Sequence, residues 1–479
     1  MRATINFQES DQVKWFIGSV SKTHSIYKML QEFSTIVHVL GELRRLRSHD
    51  RWNANQLLEH QEQSFAALRQ FAYKHSPFYQ KFHKGLEKAS LKDLPVLTKS
   101  MIMDNFNDFV TDRTLRLEEV RVHVATGSKG RFKNKYEVVA TSGSTGTPAI
   151  FLFNEQEWTT VIASFARARE WAGLKLNLTR RSKMAVVSST NERNVSARVG
   201  KTADTPFIPT LRLDATESIA NIVAKLNHWK PEALVAYASM AYFLANEQEK
   251  GELDIHPRFI FTASEVLTSK MREVIENVWG KVVFDEYVST ETATLAAEDK
   301  LHHGMHVFED LLIIENVDQD NNSVQPGTYG SKILVTTLFS RTQPLIRYEI
   351  SDNIRFAVDK VSCGLSYARI DAVQGRQEDM LIMPGLKVAE VKVHPNVFHD
   401  VMDAIPNKGW QIIQEKNYLH VLLMDTKEKI NHNEVKDRIV EALEKQDVKI
   451  PKIEVQKVEQ IPKEKSGKSP LIKAYKAAH

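Results

Sequence analysis

The run Thr141-Ser142-Gly143-Ser144-Thr145-Gly146-Thr147-Pro148 concentrates residue types that suit phosphate binding. Gly143 and Gly146 allow positive φ and a close backbone approach to a ligand. Successive N–H groups in such a turn can face one concavity and hold phosphate oxygens. The hydroxyls of Thr141, Ser142, Ser144, Thr145 and Thr147 add donors. The same composition also suits a plain hairpin loop, so the run alone leaves both readings open. A Walker loop would end in Gly-Lys-Ser/Thr. Thr147-Pro148 stands there instead, which sets aside a P-loop kinase or NTPase.

Four more segments place polar residues where chemistry could use them. Phe284-Asp285-Glu286-Tyr287-Val288-Ser289-Thr290-Glu291 ends in a hydroxyl beside a carboxylate; taken singly it reads as a strand end with a solvated glutamate. Pro344-Leu345-Ile346-Arg347-Tyr348-Glu349-Ile350-Ser351-Asp352 ends in an acceptor-only side chain, ordinary in any turn. Gly375-Arg376-Gln377-Glu378-Asp379-Met380-Leu381 sets an arginine near two acids. Ile461-Pro462-Lys463-Glu464-Lys465-Ser466-Gly467-Lys468 is a lysine-rich stretch of the kind usually solvated. The one cysteine, Cys363, makes neither an internal disulfide nor a cysteine-built metal site, and fits a reducing compartment. No histidine accompanies it in local sequence, so a catalytic thiol is not expected.

In this order the five segments resemble the motifs of the adenylate-forming enzymes: acyl-CoA synthetases, luciferases and peptide-synthetase adenylation domains. The resemblance implies that the loop from Thr141 to Thr147 holds ATP phosphates. Tyr287 would stack on adenine with Glu286 beside it, and Ser264 and Glu265 would lie next to the base. Thr290 would meet phosphate and Glu291 would hold Mg²⁺. Asp352 and Arg376 would anchor the ribose. Glu378 and Asp379 would form the hinge between two domains, and Lys468 would reach the substrate carboxylate and the α-phosphate. Val288 and Ser351 stand where the family has glycine, and Glu378 stands where it has a hinge aspartate. A hinge need only absorb a backbone change, so the last departure is tolerable.

Three segments are similar to the phenylacetate–CoA ligase-like branch, which includes capsule-biosynthesis relatives. They are Leu68-Arg69-Gln70-Phe71-Ala72-Tyr73-Lys74-His75-Ser76-Pro77-Phe78-Tyr79, Leu94-Pro95-Val96-Leu97-Thr98-Lys99 and Gly304-Met305-His306-Val307-Phe308-Glu309-Asp310. Some members carry cysteines between residues 290 and 370. Only Cys363 is kept here, so no structural zinc site is expected there. The implied reaction joins a carboxylate to the α-phosphorus of ATP, giving acyl-AMP and pyrophosphate, and then passes the acyl group to a thiol. Positioning and electrostatics must supply the catalysis. A flexible ammonium such as Lys468 suits the phosphate charge, and a hard cation such as Mg²⁺ suits oxygen ligands. The implied ligands are ATP, Mg²⁺, a small carboxylic acid (aryl or other) and CoA. The alternatives are a carrier-protein phosphopantetheine or an amine as acceptor, and a non-catalytic nucleotide-binding relative. Tyr237, Ser239 and Met240 are candidates for the acid pocket. Tyr237 and Met240 suit an apolar or aryl wall and core packing equally.

The elements that must position these residues follow from pattern. Residues up to about 110 read as a mainly helical lead-in: Leu57, Phe65, Leu68, Phe71 and Ala72 recur at helical spacing. Ser76-Pro77 predicts a helix stop, and Thr98 a cap. From about 120 to 375, apolar runs at 184–188, 234–237, 259–262 and 281–284 alternate with helical stretches at 218–229 and 268–278, which predicts a parallel or mixed sheet with helices on its faces. The run 332–338 alternates and predicts a smaller antiparallel part. Beyond 378, strands at 418–424 and 453–458 flank a helix at 433–445. The fold expected is α/β: a large N-terminal domain of mixed sheets over 1–376, and a small, mobile α+β lid over 377–479.

The bulk numbers set limits. With 479 residues, 42% hydrophobic and 26% charged, the chain is a folded globular protein of more than one domain. A balance of 64 basic against 60 acidic residues, net +4, argues for neither nucleic acid nor an anionic membrane as partner. No apolar run is long enough to span a bilayer, and the start of the chain lacks a signal peptide, so the cytoplasm is expected. Assembly as a homodimer is left open.

Overall fold

A computed structural model describes residues 34–126, 130–141, 149–175, 181–205, 207–267, 269–359, 363–374, 381–393, 396–402, 404, 405, 407, 409–416, 418–424, 430–459, 462, 472, 473 and 475. The first described stretch is helical: α1 (34–49), α2 (Ala54–His75), α3 (Pro77–Phe82), α4 (Lys99–Asp104), α5 (Phe106–Phe109) and α6 (Leu117–Ala125). A capping box at Asn53 and Gln56 starts α2 and contributes about 1 kcal/mol. Ser76 ends α2 and also caps α3, whose first residue is Pro77. The proline therefore opens a second helix as well as closing the first, because its missing N–H costs nothing at that position. Thr98 caps α4 through the Met101 N–H, as predicted.

Strands β1 (Glu137–Ala140) and β2 (Ile150–Phe153) pair antiparallel with Ala140 opposite Ile150, so the two ends of the glycine run are held side by side. The next strands are β3 (Met184–Ser188), β4 (Thr210–Asp214), β5 (Ala233–Ala236), β6 (Phe259–Ala263), β7 (Val283–Ser289), β8 (Ala293–Glu298) and β9 (Met305–Val307). A separate antiparallel trio, β10 (Leu312–Val317), β11 (Lys332–Thr337) and β12 (Tyr348–Ile350), contains the alternating run. Then β13 (Asn353–Phe356) and β14 (Arg369–Gln374) rejoin the main sheet, whose order is β13-β14-β9-β8-β7-β6-β5-β3-β4. The stretch from β4 to β7 is parallel and the remainder antiparallel.

Parallel strands are buried on both faces, and every residue of Met184–Ser188 is buried. The helices are α7 (Glu155–Trp171), α8 (Val195–Ala203), α9 (Ile219–Trp229), α10 (Ala238–Glu249) and α11 (Ser269–Trp279). On one face Leu234, Ile260 and Val283 pack with Leu226 of α9, Leu244 of α10 and Ile275 of α11. On the other, Met184, Val186, Phe259, Phe261 and Phe284 form a second cluster with Ala172, just past α7. Strand β7 begins two residues later than its apolar run and continues to Ser289. Its polar half is held by ladder bonds to β6 and β8, which tertiary pairing supplies and local propensity does not.

The C-terminal part holds β15 (Leu381–Pro384) with β16 (Glu390–Val393), then α12 (Asn396–Met402), β17 (Gly409–Gln414), β18 (Tyr418–Met424), α13 (His432–Glu444), β19 (Lys452–Lys457) and β20 (Ile472–Lys473). Its four-stranded sheet runs β19-β18-β17-β20 and has its own core around Phe398, Trp410, Val421 and Ile439. The α/β class, with a large sheet-rich N-terminal part and a small C-terminal part, is as expected from sequence. Lys392 of β16 lies over the rings of Tyr242 and Phe243 on α10, at 5.4 and 5.2 Å.

Candidate active site

A cavity of about 1820 Å³ runs along the C-terminal ends of β3, β5, β6 and β7. This is where open parallel sheets place ligands, because the loops leaving the strands line a common crevice. Thr141, Tyr237, Ser264, Glu265, Tyr287, Thr290, Glu291 and Asp352 all line it. Ser142 to Thr147, Arg376, Glu378, Asp379 and Lys468 lie outside the described residues, as does the side chain of Ser239.

The best-defined pair joins two of the sequence motifs. Tyr287 on β7 donates its hydroxyl to Asp352 Oδ2 at 2.9 Å, across 65 residues of chain. Next to Tyr287 the β7–β8 register shifts, and φ at Val288 is not positive, so this bulge needs no glycine. Ser351 likewise avoids positive φ. Ser264, in the turn after β6, sits at φ +70°, a conformation uncommon for a residue with a side chain, and the strain falls on the cavity wall. Thr290 and Glu291 occupy the turn between β7 and β8. The Ser289 and Thr292 hydroxyls, 2.9 Å apart, close that turn.

Strand alternation sorts the acids of β7. Asp285 shares a face with Val283, the α11 side. It accepts from Thr262 Oγ1 at 2.8 Å, and its own N–H donates to Glu298 Oε2 at 2.9 Å. Arg272 of α11 holds Glu298 at 2.7 Å. Burial, aided by the Glu298 charge, pushes the Asp285 carboxyl up to about 7. Sequence reading passed over Asp285, although counting by twos from Tyr287 would have found it. Glu286 points to the opposite face. Its Oε1 is 3.9 Å from Arg169 Nε of α7, and burial raises its carboxyl to about 7 as well. Its side chain thus belongs to the α7 interface, although the residue also borders the cavity.

The branch-signature residues act as the frame. Tyr79 donates its hydroxyl to the Pro344 carbonyl at 2.7 Å. Leu97 exchanges backbone bonds with Arg347 and Glu349, at 3.0 and 2.9 Å. Arg347, at φ +51°, pairs with Glu315 at 3.0 Å and also donates to the Leu94 carbonyl. The helical lead-in therefore clamps β12 and the segment before it, just ahead of Asp352. Asp310 is fully buried and receives two bonds from Arg167, at 2.9 and 2.7 Å, and one from His49 Nδ1 at 2.8 Å. Burial would raise its carboxyl, yet the Arg167 charge and the hydrogen bonds outweigh this and hold it well below the usual range.

Met240, one of the candidates for the acid pocket, packs instead into the core with Leu244 and Ile260. It is absent from the cavity lining, and sequence alone could not tell wall from core. Tyr237 stays at the cavity, where its hydroxyl oxygen accepts the Ser189 N–H at 3.0 Å. Cys363 does acquire a histidine through the fold: His306 Nε2 lies 3.4 Å from its sulfur and 3.5 Å from Asp299 Oδ2. Potential ligand atoms of these three residues lie within 4.8 Å of one another. This mixed set supplies three of the four donors a structural zinc takes.

Comparison with known proteins gives relatives along most of the chain. Residues 385–475 match the CapK C-terminal domain. The chain is 26% identical to Protein CapK of Staphylococcus aureus over 361 residues, 72% of each chain. It is 23% identical to a phenylacetate-coenzyme A ligase of Thermus thermophilus over 367 residues, 72% of this chain and 75% of the relative. Among solved structures, 2-hydroxyisobutyryl-CoA ligase in complex with 2-HIB-AMP and CoA superposes with a TM-score of 0.59 at 18% identity, over 89% of this chain and 91% of that one, and shares the fold. These relatives are those of the branch that the motifs resemble. Among the described residues, no helix is long and apolar enough to cross a membrane.

Proposed function

We propose that this chain, an adenylate-forming relative of CapK and the phenylacetate–CoA ligases, activates a small carboxylic acid as acyl-AMP, releases pyrophosphate, and passes the acyl group to the thiol of CoA. The observation that carries the reading is the meeting of Tyr287 and Asp352 on the cavity that Ser264, Thr290 and Glu291 also line. In this reading the Tyr287 ring stacks on adenine. Asp352, with Arg376, holds the ribose through its acceptor oxygens. The N–H groups and hydroxyls from Ser142 to Thr147 receive the departing pyrophosphate. Thr290 and Glu291 offer hard oxygen donors that fit Mg²⁺, which when bound neutralises phosphate charge. Lys468 brings an ammonium to the α-phosphate and the attacking carboxylate. The large part, 1–376, binds the nucleotide; the small part, 377–479, turning about Glu378 and Asp379, closes for adenylation and reopens for the thiol. The enzyme works in the cytoplasm.

The test is ATP–pyrophosphate exchange across a panel of aryl, fatty, amino and dicarboxylic acids. At least one acid is expected to support exchange. Lys468→Ala is expected to lower that exchange at least about 100-fold, the scale on which transition-state electrostatic contacts act. The same variant is expected to keep thioester formation from supplied acyl-AMP. Exchange near the wild-type rate in the variant overturns the assignment. The alternative acceptor is a carrier-protein thiol or an amine. Transfer of labelled acyl from acyl-AMP to CoA, a phosphopantetheinylated carrier or an amine separates the two.

A further inference from the structure

Sheet order divides the cavity into two ends. Of the described nucleotide candidates, those other than Thr141 sit on β7, the turn after it, the turn after β6 and the β12–β13 corner; Thr141 follows β1, whose last residue Ala140 is bonded to Arg193. The neighbouring strands β5 and β3 carry the rest of the floor, away from the Asp352 corner. Over β5 and β3 the lining is polar: Ser189, Asn191, Arg193 and Asn194 leave the end of β3, and Tyr237 leaves the end of β5. An aryl side chain would have to desolvate this wall without satisfying it.

The wall is rigid and rich in donors. Ser189, 2% exposed, accepts from the Asn191 N–H at 3.2 Å and from Asn194 Nδ2 at 2.8 Å. With both acceptor positions engaged, its O–H is left as a donor. Arg193 is pinned at both backbone groups: its N–H donates to Asn191 Oδ1 at 3.1 Å, and its carbonyl accepts the Ala140 N–H at 2.7 Å. Its half-buried guanidinium makes no ion pair with any described residue. The one acid of its loop, Glu192, is taken by Lys201 at 2.9 Å. Asn194 heads α8 without capping it, because its side chain is turned to Ser189. The first-turn amides of that helix therefore add positive potential at Val195, also on the wall.

We infer that the acid activated here carries a second carboxylate, held by Arg193 with Ser189 and Asn191: the substrate class is a short dicarboxylic acid. A planar guanidinium meets a carboxylate with paired bonds and repels the ammonium of an amino acid. This deepens the adenylation reading and rests on it.

The experiment compares kcat/KM in ATP–pyrophosphate exchange for malonate, succinate, glutarate and adipate with monocarboxylates of equal length and with phenylacetate. One dicarboxylate is expected to exceed its matched monocarboxylate by at least about tenfold, in line with a charged hydrogen bond. Arg193→Gln is expected to cut the dicarboxylate value roughly 10- to 100-fold and leave monocarboxylates and the KM for ATP within about twofold. Preference for phenylacetate or a monocarboxylate, with exchange intact, overturns this inference and leaves adenylation standing. So does an Arg193→Gln variant that raises the KM for ATP equally with every acid, which would assign the arginine to the triphosphate. Exchange with no acid at all overturns the adenylation reading and this inference together.

Discussion

Tyr287 and Asp352 offer a way to measure whether two distant motifs act as one unit. The hydroxyl-to-carboxylate bond is 2.9 Å long and both residues are half-buried. A hydrogen bond to a charged group contributes about 1.5–3 kcal/mol when shielded, and partial exposure places this one near the lower limit. Tyr287→Phe keeps the ring and removes the donor. At about 1.4 kcal/mol, kcat/KM for ATP falls roughly tenfold, mostly through KM, because ribose and adenine are held in the ground state and the transition state alike. Asp352→Ala removes the acceptor for the ribose and is expected to cost roughly 100-fold. In the double variant the missing hydroxyl has no carboxylate left to orient, so its loss is expected to fall short of the product of the single losses by a coupling of about 1 kcal/mol. Four proteins, assayed by ATP–pyrophosphate exchange at saturating acid and checked for unchanged thermal unfolding, complete the cycle. Additivity within about 0.3 kcal/mol refutes the claim that the pair acts together.

Two more outcomes concern the frame. Asp310→Ala strands Arg167 and His49 in the interior and is expected to cost about 3–5 kcal/mol in urea unfolding, with faster proteolysis near residue 50 where α1 is released; an unchanged midpoint removes the anchor role. Glu286 has a folded-state pKa raised from 4.5 to about 7, so the folded state binds its proton more tightly than the unfolded chain. Its charge therefore costs stability progressively from about pH 4.5 to pH 7, in full above that, and not at all below about pH 4. Glu286→Gln, which mimics the protonated form, is expected to stabilise the protein by on the order of 3 kcal/mol at pH 8 and much less at pH 5. An equal gain at both pH values excludes burial of the charge as the cause.

Much of the scaffold was legible because its signals are local. Met184–Ser188 reads as a buried strand from four apolar residues and a serine, and Thr98 reads as the start of a helix from its own hydroxyl. The five motifs were legible as an ordered set, whereas each taken singly reads equally as a loop, a turn or a solvated stretch. Side-chain direction was not. Glu286 and Asp285 are neighbours, and only pairing of β7 with β6 and β8 decides which one borders Arg272 and which one Arg169. Met240 suits a pocket wall and a core position equally by type, and its packing with Leu244 and Ile260 places it in the core.

The sequence by itself determined the class of fold and the types of group on offer: a glycine-rich turn, an acceptor-only aspartate, a carboxylate beside a threonine. Periodicity and side-chain chemistry are properties of neighbouring residues, so they survive without a fold. Only the tertiary structure decided which groups meet. Tyr287 finds Asp352, Cys363 finds His306, and Asp310 gathers Arg167 and His49, over separations of 65, 57, 143 and 261 residues. Contacts at such range are set by strand order and helix packing. Those depend on the whole core being buried at once, and no local window contains that information.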